Sequence, residues 1–387
     1  MTKCLQYFLL LFCVSAAFAQ APAPGDVDIP AADGVKLRAT FFSAGKTGPA
    51  VLLLHMCNTT RKSWEPLAKQ LASSGINALT VDNRGFGESG GPQFQVGSDE
   101  TVQMIQQKWP SDFETAYEFL LAQPGVDKTR IAVGGGSCGV DNAVKVAERH
   151  PDVKAMVLLA GSPNDVKGIN YIFTRSEIPL FTAAASDDQF NADFPQLMKW
   201  FADLSGNSRS KSVSFADGHH GTEIFGPHPE LVTQINAFLV DVLITKPGGP
   251  VLNPRSTSAR EFWTLASHPG DAGKAVEMFH KARKKNPNVS LFEEFGLNLL
   301  AYDRLQTDKQ EAVDLFKLNA EAYPASANAQ DSLSDGYLAL GQKDLALAAE
   351  EKCLELLPAD KAAPDFKAQI KQVAEKKIAD LKAEKTQ

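Results

Sequence analysis

The chain has 387 residues, of which 44% are hydrophobic and 22% are charged, and its formal net charge is −7. This composition is typical of globular proteins, and the length allows two or three domains and excludes a single small core. The acidic surplus argues against nucleic acid as the main partner, because no basic excess is available to neutralise phosphates.

Residues 1–19 are predicted to form a signal peptide. Lys3 supplies a positive charge, and residues 5–14 form an apolar core too short to span a bilayer comfortably. Ala17 and Ala19 are the small residues that signal peptidase needs for cleavage before Gln20. No other stretch approaches 18 consecutive apolar residues. We therefore expect an exported protein, periplasmic or secreted, without stable membrane insertion.

Residues 27–245 follow a short leader at 20–26 and alternate strand-like runs with helical patterns. Buried strands are predicted at 50–54, 78–81, 131–133, 155–159 and 179–183, and helices at 64–74, 111–123 and 142–149. The alternation predicts an α/β domain built on a doubly wound, mostly parallel sheet. Ligands of such sheets bind at the carboxyl ends of the strands.

A Pro- and Gly-rich linker at 246–257 leads to a second domain, 258–387, which is predicted to be entirely helical. A phrase that runs from Ala to Pro begins at Ala275, Ala312 and Ala346, at spacings of 37 and 34 residues. The second spacing equals the tetratricopeptide period, and the first fits it with an insertion near 306–309. The segment 258–360 resembles tetratricopeptide repeats. The resemblance implies a groove for a protein or peptide partner, although support of the first domain explains the repeats equally well.

The strongest chemical signal is a G-x-S-x-G motif formed by Gly135, Ser137 and Gly139. In this motif the chain turns sharply from a strand into a helix and exposes a nucleophilic serine. The motif arises by chance in roughly one chain in ten of this length. Its position between a predicted strand and a predicted helix removes most accidental explanations.

The sequence around the motif resembles α/β hydrolases over residues 27–245. Residues 52–58 (LLLHMCN) end an early strand, residues 82–89 (DNRGFGES) follow the next one, and residues 109–140 are similar to the dienelactone-hydrolase-like branch. Dienelactone hydrolase itself has a cysteine nucleophile where this chain has Ser137, so its lactone specificity does not carry over.

The resemblance implies a catalytic triad in the order Ser, Asp, His. The acid should follow the strand at 179–183, where Asp188 fits the family spacing best and Asp187 is a rival. The base should lie in an H-G-T motif, which favours His220 over His219.

The resemblance also implies an oxyanion hole made from backbone N–H groups. One donor is expected at Cys138 and the other at Cys57, with Met56 next to it in the position where a glycine is usual. Cys57 and Cys138 should therefore lie close together. Either they bridge, or they are two small apolar residues that fill space around Ser137.

No cofactor motif and no metal-ligand spacing is present, and the segment between 159 and 178 is too short for a helical cap. We therefore expect an open site lined by Met56, Cys57, Phe86, Phe173 and Phe190. The predicted function is hydrolysis of small carboxylic esters by a serine mechanism. A serine peptidase or amidase of the same fold, and an inert binding protein that uses its repeats, are the alternatives. A chain ending near residue 246 should fold without the repeats.

Overall fold

The computed structural model describes residues 24–248 and 253–384, so the expected signal peptide lies outside the described residues. The strands are β1 (Gly25–Pro30), β2 (Lys36–Phe42), β3 (Gly48–Leu54), β4 (Asn77–Val81), β5 (Val126–Gly136), β6 (Val153–Leu159), β7 (Leu180–Ala185) and β8 (Lys211–Phe215). They form one sheet in the order β1-β2-β4-β3-β5-β6-β7-β8. The pairs β1–β2 and β2–β4 are antiparallel and the other neighbours are parallel.

Helices cover both faces of this sheet, as the alternating pattern predicted. They are α1 (Glu65–Ser73), α2 (Asp99–Gln107), α3 (Trp109–Ala122), α4 (Cys138–Arg149), α5 (Val166–Thr174), α6 (Phe194–Ser205) and α7 (Glu230–Val240). The pair α1 and α7 packs on one face around Leu67, Leu71 and Ile235, whereas α3 to α6 pack on the other. Strands β3 and β4 are wholly buried because helices shield them on both sides.

The second domain consists of helices in the described residues. They are α8 (Ser258–Ser267), α9 (Ala272–Lys285), α10 (Glu294–Arg304), α11 (Lys309–Ala322), α12 (Ala327–Ala339), α13 (Lys343–Leu356) and α14 (Pro364–Glu384). The first six form three hairpins, α8–α9, α10–α11 and α12–α13, and α14 packs against the last of them. None of the helices in the described part of the chain is long and apolar enough to cross a membrane.

The repeated phrase is the second helix of each hairpin. Ala275, Ala312 and Ala346 each open that phrase and are fully buried, since only a small side chain fits where neighbouring helices approach. The predicted position of the insertion was wrong. Most of the extra length lies in the eight-residue loop 286–293, against four residues in the equivalent loop 323–326, whereas the loop 305–308 is only one residue longer than its equivalent 340–342. Membership of the tetratricopeptide family stays a prediction.

The helical domain shares one hydrophobic core with the sheet face that α3 to α6 cover. The ring of Trp263 meets that of Trp200 edge-on at 5.4 Å, and a β-carbon on Gly296 would lie 2.6 Å from the Trp200 ring. The guanidinium of Arg260 enters the first domain, where it donates hydrogen bonds to the carbonyl oxygens of Phe173 and Leu204 at 2.7 and 2.6 Å. The expectation that the first domain folds alone stays a prediction, and this shared core argues against it.

Candidate active site

Ser137 stands at the turn between β5 and α4 in a left-handed conformation, with φ of 52°. Non-glycine residues adopt such angles at a cost of about 1–3 kcal/mol, so the surrounding structure must enforce it. The glycines make the turn possible. A β-carbon on Gly135 would lie 1.9 Å from the Gly139 carbonyl oxygen, and one on Gly139 would lie 2.4 Å from that of Leu54. The structure thus places Ser137 on the strand–turn–helix element that the motif predicted.

Asp188 and His220 form a buried pair. An Asp188 carboxylate oxygen lies 2.6 Å from Nδ1 of His220, and their side chains are 0% and 2% exposed. The second carboxylate oxygen accepts the backbone N–H groups of Phe190 at 2.9 Å and Asn191 at 3.3 Å, which fixes the carboxyl plane. The carboxylate therefore holds the proton of the imidazole on Nδ1 and leaves Nε2 as the acceptor.

The neighbouring residues form a separate pair at the surface. His219 donates its backbone N–H to Asp187 at 2.8 Å, and its Nδ1 lies 3.2 Å from the other carboxylate oxygen of Asp187. The His219 side chain is 67% exposed. Sequence left Asp187 and His219 as rivals of Asp188 and His220, and only the latter two occupy a buried, fully bonded position.

Leu159 and Met56 connect the Ser137 turn with the His220 loop. The carbonyl of Leu159 accepts the Ser137 N–H at 2.9 Å, and it lies 3.7 Å from the position of a β-carbon on Gly221. The Met56 side chain is fully buried, and its sulfur accepts the Thr222 N–H at 3.4 Å. Within the described residues, no hydrogen bond joins Ser137 Oγ to the His220 ring. Catalytic hydrogen bonds of ligand-free enzymes are often longer than those of the substrate complex.

His55 holds the peptide unit between Met56 and Cys57. The backbone N–H of Asn83 donates to its Nε2 at 2.9 Å, so the ring proton is on Nδ1, which lies 2.6 Å from the Met56 carbonyl oxygen. Burial lowers the pKa of His55 to about 4, in agreement with a neutral ring. Because the carbonyl and the N–H of one peptide unit point in opposite directions, anchoring the Met56 carbonyl directs the Cys57 N–H the other way.

Neither Cys57 nor Cys138 donates its backbone N–H to another described residue. Cys138 is the first residue of α4, so its N–H also lacks an acceptor within the helix. Two free N–H groups beside Ser137 have the character of an oxyanion hole. Met56 contributes buried packing and an anchored carbonyl to this arrangement.

A disulfide joins Cys57 to Cys138, with 5.9 Å between their α-carbons. The bond connects the loop after β3 to the beginning of α4, which are the two segments that carry the free N–H groups. Sequence left the bridge and the unbridged pair open, and the structure has the bridge. Cys353 is the free cysteine of the described chain and is buried in the helical domain.

The loop that carries Asn83 is itself fixed by buried charges. Asp82 accepts the backbone N–H and the guanidinium of Arg61 at 2.7 and 2.5 Å, and Arg84 donates two hydrogen bonds of 2.7 Å to Asp112. These bonds raise the pKa of Arg84 above its already high value. The motif at residues 82–89 thus holds the loop that orients His55.

Two of the expected lining residues have other surroundings. Phe190 lies over His220, with ring centroids 4.6 Å apart, and Phe86 lies 5.1 Å from the His55 ring. Phe173 instead packs under the Arg260 guanidinium at the domain interface, 4.4 Å from its ring centroid, and Met56 is buried beneath the site. Sequence could not place Phe173 because its partner lies 87 residues away in the other domain. No cluster of three potential metal ligands occurs among residues 24–248 and 253–384.

Known proteins match the N-terminal half of the chain. A family model described as serine aminopeptidase, S33, matches residues 45–191. An uncharacterized protein of Mycobacterium tuberculosis is 33% identical over 156 residues, which cover 40% of this chain and 51% of that protein. A thiohydrolase of Aspergillus aculeatus is 30% identical over 124 residues, which cover 32% of this chain and 36% of that protein. An esterase structure from Pyrococcus furiosus aligns with a TM-score of 0.45 at 20% identity and covers 57% of this chain and 91% of that chain.

The chain therefore spans about half or less of the length of these curated relatives. The family match begins before β3 and ends after β7, so it contains the Ser137 turn, both bridged cysteines and Asp188. Together with the order and direction of the eight strands, this match shows that the N-terminal domain has the α/β-hydrolase fold.

Proposed function

We propose that the protein is a serine hydrolase of carboxylic esters that works through an acyl-enzyme, with Ser137, Asp188 and His220 as its triad. The observation that carries this proposal is the strained Ser137 turn beside a buried Asp188–His220 pair. A carboxylate that fixes the tautomer of a histidine, next to a serine at a helix N-terminus, is the arrangement that acyl transfer requires.

In the first half-reaction, Ser137 Oγ attacks the ester carbonyl carbon and its proton passes to His220 Nε2. The carbonyl electrons move onto the oxygen, where the N–H groups of Cys57 and Cys138 stabilise the negative charge. The C–O bond of the ester then breaks, and His220 returns the proton to the departing alcohol. The Asp188 carboxylate stabilises the imidazolium that forms between these steps.

In the second half-reaction, water attacks the acyl-enzyme while His220 accepts its proton. Collapse of this intermediate expels Ser137 Oγ, which regains the proton from His220, and the carboxylic acid leaves. Every step uses groups of this chain, so the proposed reaction needs no cofactor.

Two alternatives to an ester substrate have support. The name of the Aspergillus relative favours a thioester, and the description of the family model favours a peptide or amide. Esters and thioesters have better leaving groups than amides, so a site without further binding elements hydrolyses them first. The dienelactone-hydrolase-like branch and export through residues 1–19 remain part of the proposal.

The test is labelling of the purified protein with a fluorophosphonate probe, followed by assays with p-nitrophenyl acetate, acetyl thiocholine and an aminoacyl anilide. Ser137→Ala should abolish labelling and lower ester turnover by several orders of magnitude. Ser73→Ala is the matched control, because Ser73 is an exposed serine on α1. Labelling of Ser137→Ala at the level of the parent protein would overturn the triad assignment.

A further inference from the structure

A cleft of about 380 Å³ lies between the loop after Asp188 and the helical domain. Its first wall includes Phe190, Asp193 and Leu197, and its second includes residues 293–295, 323–328 and 359–366. The sequence predicted an open site because no cap is inserted after β6. The structure instead places the helical domain where it forms the far wall of a cleft next to the site.

Exposed aromatic side chains are concentrated in this cleft. Phe190, Phe295 and Phe366 are 49%, 39% and 45% exposed, and no other phenylalanine of the described chain is as exposed as these. All three line the cleft, although they lie on three different segments. Exposed phenylalanines that converge on one concave surface indicate a ligand that covers them.

The charge of the walls selects the kind of ligand. Four carboxylates line the cleft, on Asp193, Glu293, Glu294 and Asp360, against the single ammonium of Lys361. The Asp360 carboxylate accepts hydrogen bonds from the backbone N–H groups of Ala327 and Ala362. The Glu294 carboxylate accepts hydrogen bonds from Ser326 Oγ and Asn328 Nδ2. Glu293 accepts one hydrogen bond, from Ser290 Oγ at 3.1 Å. The Asp193 carboxylate does not cap α6 and has no hydrogen-bond or ion-pair partner among the described residues. Glu293 and Asp193 are therefore the carboxylates available to a ligand.

The cleft adjoins the catalytic base, because Phe190 both lines the cleft and lies against His220. The Phe190 ring lies against His220, and its backbone N–H holds Asp188. His220 delivers a proton to the departing alcohol, so the alcohol portion of the substrate must lie close to His220. A cleft next to His220 is therefore on the alcohol side of the substrate.

We propose that this cleft binds an organic ammonium group carried by the alcohol portion of the ester, between the phenylalanine rings and the carboxylates of Glu293 and Asp193. Aromatic faces and carboxylates together recognise a poorly hydrated cation, which gains from ring quadrupoles and from opposite charge. The inference rests on the proposed esterase function and assigns it a substrate class.

The first experiment compares two esters of the same shape in the full chain. Acetylcholine carries a quaternary ammonium, and 3,3-dimethylbutyl acetate replaces it with a neutral tert-butyl group. The KM for the cationic ester should be lower by about tenfold. This ratio corresponds to about 1.4 kcal/mol, which lies between the values of exposed and of desolvated cation–π contacts. Glu293→Gln and Asp193→Asn should each bring the ratio of the two KM values toward one. Glu321→Gln, an exposed carboxylate outside the cleft, is the matched control and should leave the ratio unchanged.

The second experiment measures binding without catalysis. Benzyltrimethylammonium is titrated into Ser137→Ala by calorimetry, and into Ser137→Ala combined with Glu293→Gln or with Phe295→Leu. Affinity should fall about tenfold in each double variant. Asp193 is exposed, so Asp193→Asn gives the same readout if a Glu293 variant does not fold.

The outcomes separate the two proposals. Equal KM values for both esters, with no calorimetric binding, would overturn the cation assignment and leave the esterase proposal standing. Binding of the ammonium without turnover of either ester would support the cleft and contradict the esterase proposal. Binding that survives Glu293→Gln, Asp193→Asn and Phe295→Leu would place the cation elsewhere and overturn the inference.

Discussion

Reduction of the Cys57–Cys138 disulfide should lower both the stability of the protein and its rate of ester turnover. The two cysteines are separated by 81 residues, and a cross-link over such a loop removes about 15 cal/mol/K of entropy from the unfolded chain. This corresponds to at most about 4.5 kcal/mol of stability at 25 °C, a large fraction of the ~5–15 kcal/mol of a typical domain.

Reduction should also lower kcat by about tenfold. Removal of one oxyanion donor costs about 100-fold or more in known enzymes. Here the Cys57 and Cys138 N–H groups remain, and His55 still anchors the peptide unit through the Met56 carbonyl. Loss of the disulfide therefore leaves both N–H donors in the oxyanion hole but holds them less firmly. The decrease in kcat should be smaller than the decrease caused by removal of a donor.

The assay is urea unfolding and ester turnover, with and without dithiothreitol, of a chain that begins at Gln20. Thiols are counted after denaturation, and we expect one without reductant and three with it, because Cys4 and Cys13 lie in the predicted signal peptide. Burial raises the pKa of Cys353 to about 12, so this thiol should not react in the native protein. Cys57→Ser combined with Cys138→Ser is the control, and its stability should not respond to dithiothreitol. Three thiols in the denatured, unreduced protein, or equal unfolding midpoints in both conditions, would refute the reasoning.

Three further predictions concern the triad, the cleft and the domain interface. Asp188→Asn should lower kcat about 10⁴-fold, because it favours the wrong tautomer of the catalytic histidine, whereas Asp187→Asn should change kcat little. Equal losses of kcat in a steady-state assay would contradict the assignment of Asp188. Benzyltrimethylammonium affinity, followed by calorimetry, should fall as the pH drops through about 7. Burial, with repulsion from nearby carboxylates, raises the pKa of Glu293 to about 7, so its negative charge is lost below that pH; a flat profile would argue against it. A chain ending at Lys246 should aggregate, or unfold at a lower temperature in a thermal scan, because it exposes Trp200. An unchanged melting temperature would show that the first domain is independent of the second.

The central strands and the nucleophile turn were predictable because local rules decide them. Strands β3, β4, β6 and β7 are buried almost throughout, and β5 is buried from Ile131 onward, so they contain short, continuous apolar runs. The Ser137 turn needs glycines two residues before and after it, and this spacing is visible in the chain. The sequence also placed Asp188 and His220 through a family resemblance, and their buried contact agrees with it.

Edge strands and long-range contacts were not predictable in this way. β8 is mostly exposed and only five residues long, so it lacks an apolar run, and β1 begins inside the predicted leader. The disulfide depends on the distance between two loops, which no spacing reveals. The effect of His55 on the Cys57 N–H depends on Asn83, which lies 28 residues away in the chain.

The domain interface connects the candidate active site to the helical domain. α6 begins six residues after Asp188, and its Trp200 packs against Trp263 and Gly296 of the helical domain. The loop between Asp188 and α6 is therefore held at its far end by the second domain, while Phe190 in the middle of this loop contacts the catalytic histidine. A change in the interface around Trp200 should alter KM for a cationic ester more than kcat, because Ser137 and His220 follow strands of the sheet, whereas the two walls of the cleft belong to different domains. Trp200→Phe, with both parameters measured, tests this reasoning, and a loss confined to kcat would contradict it.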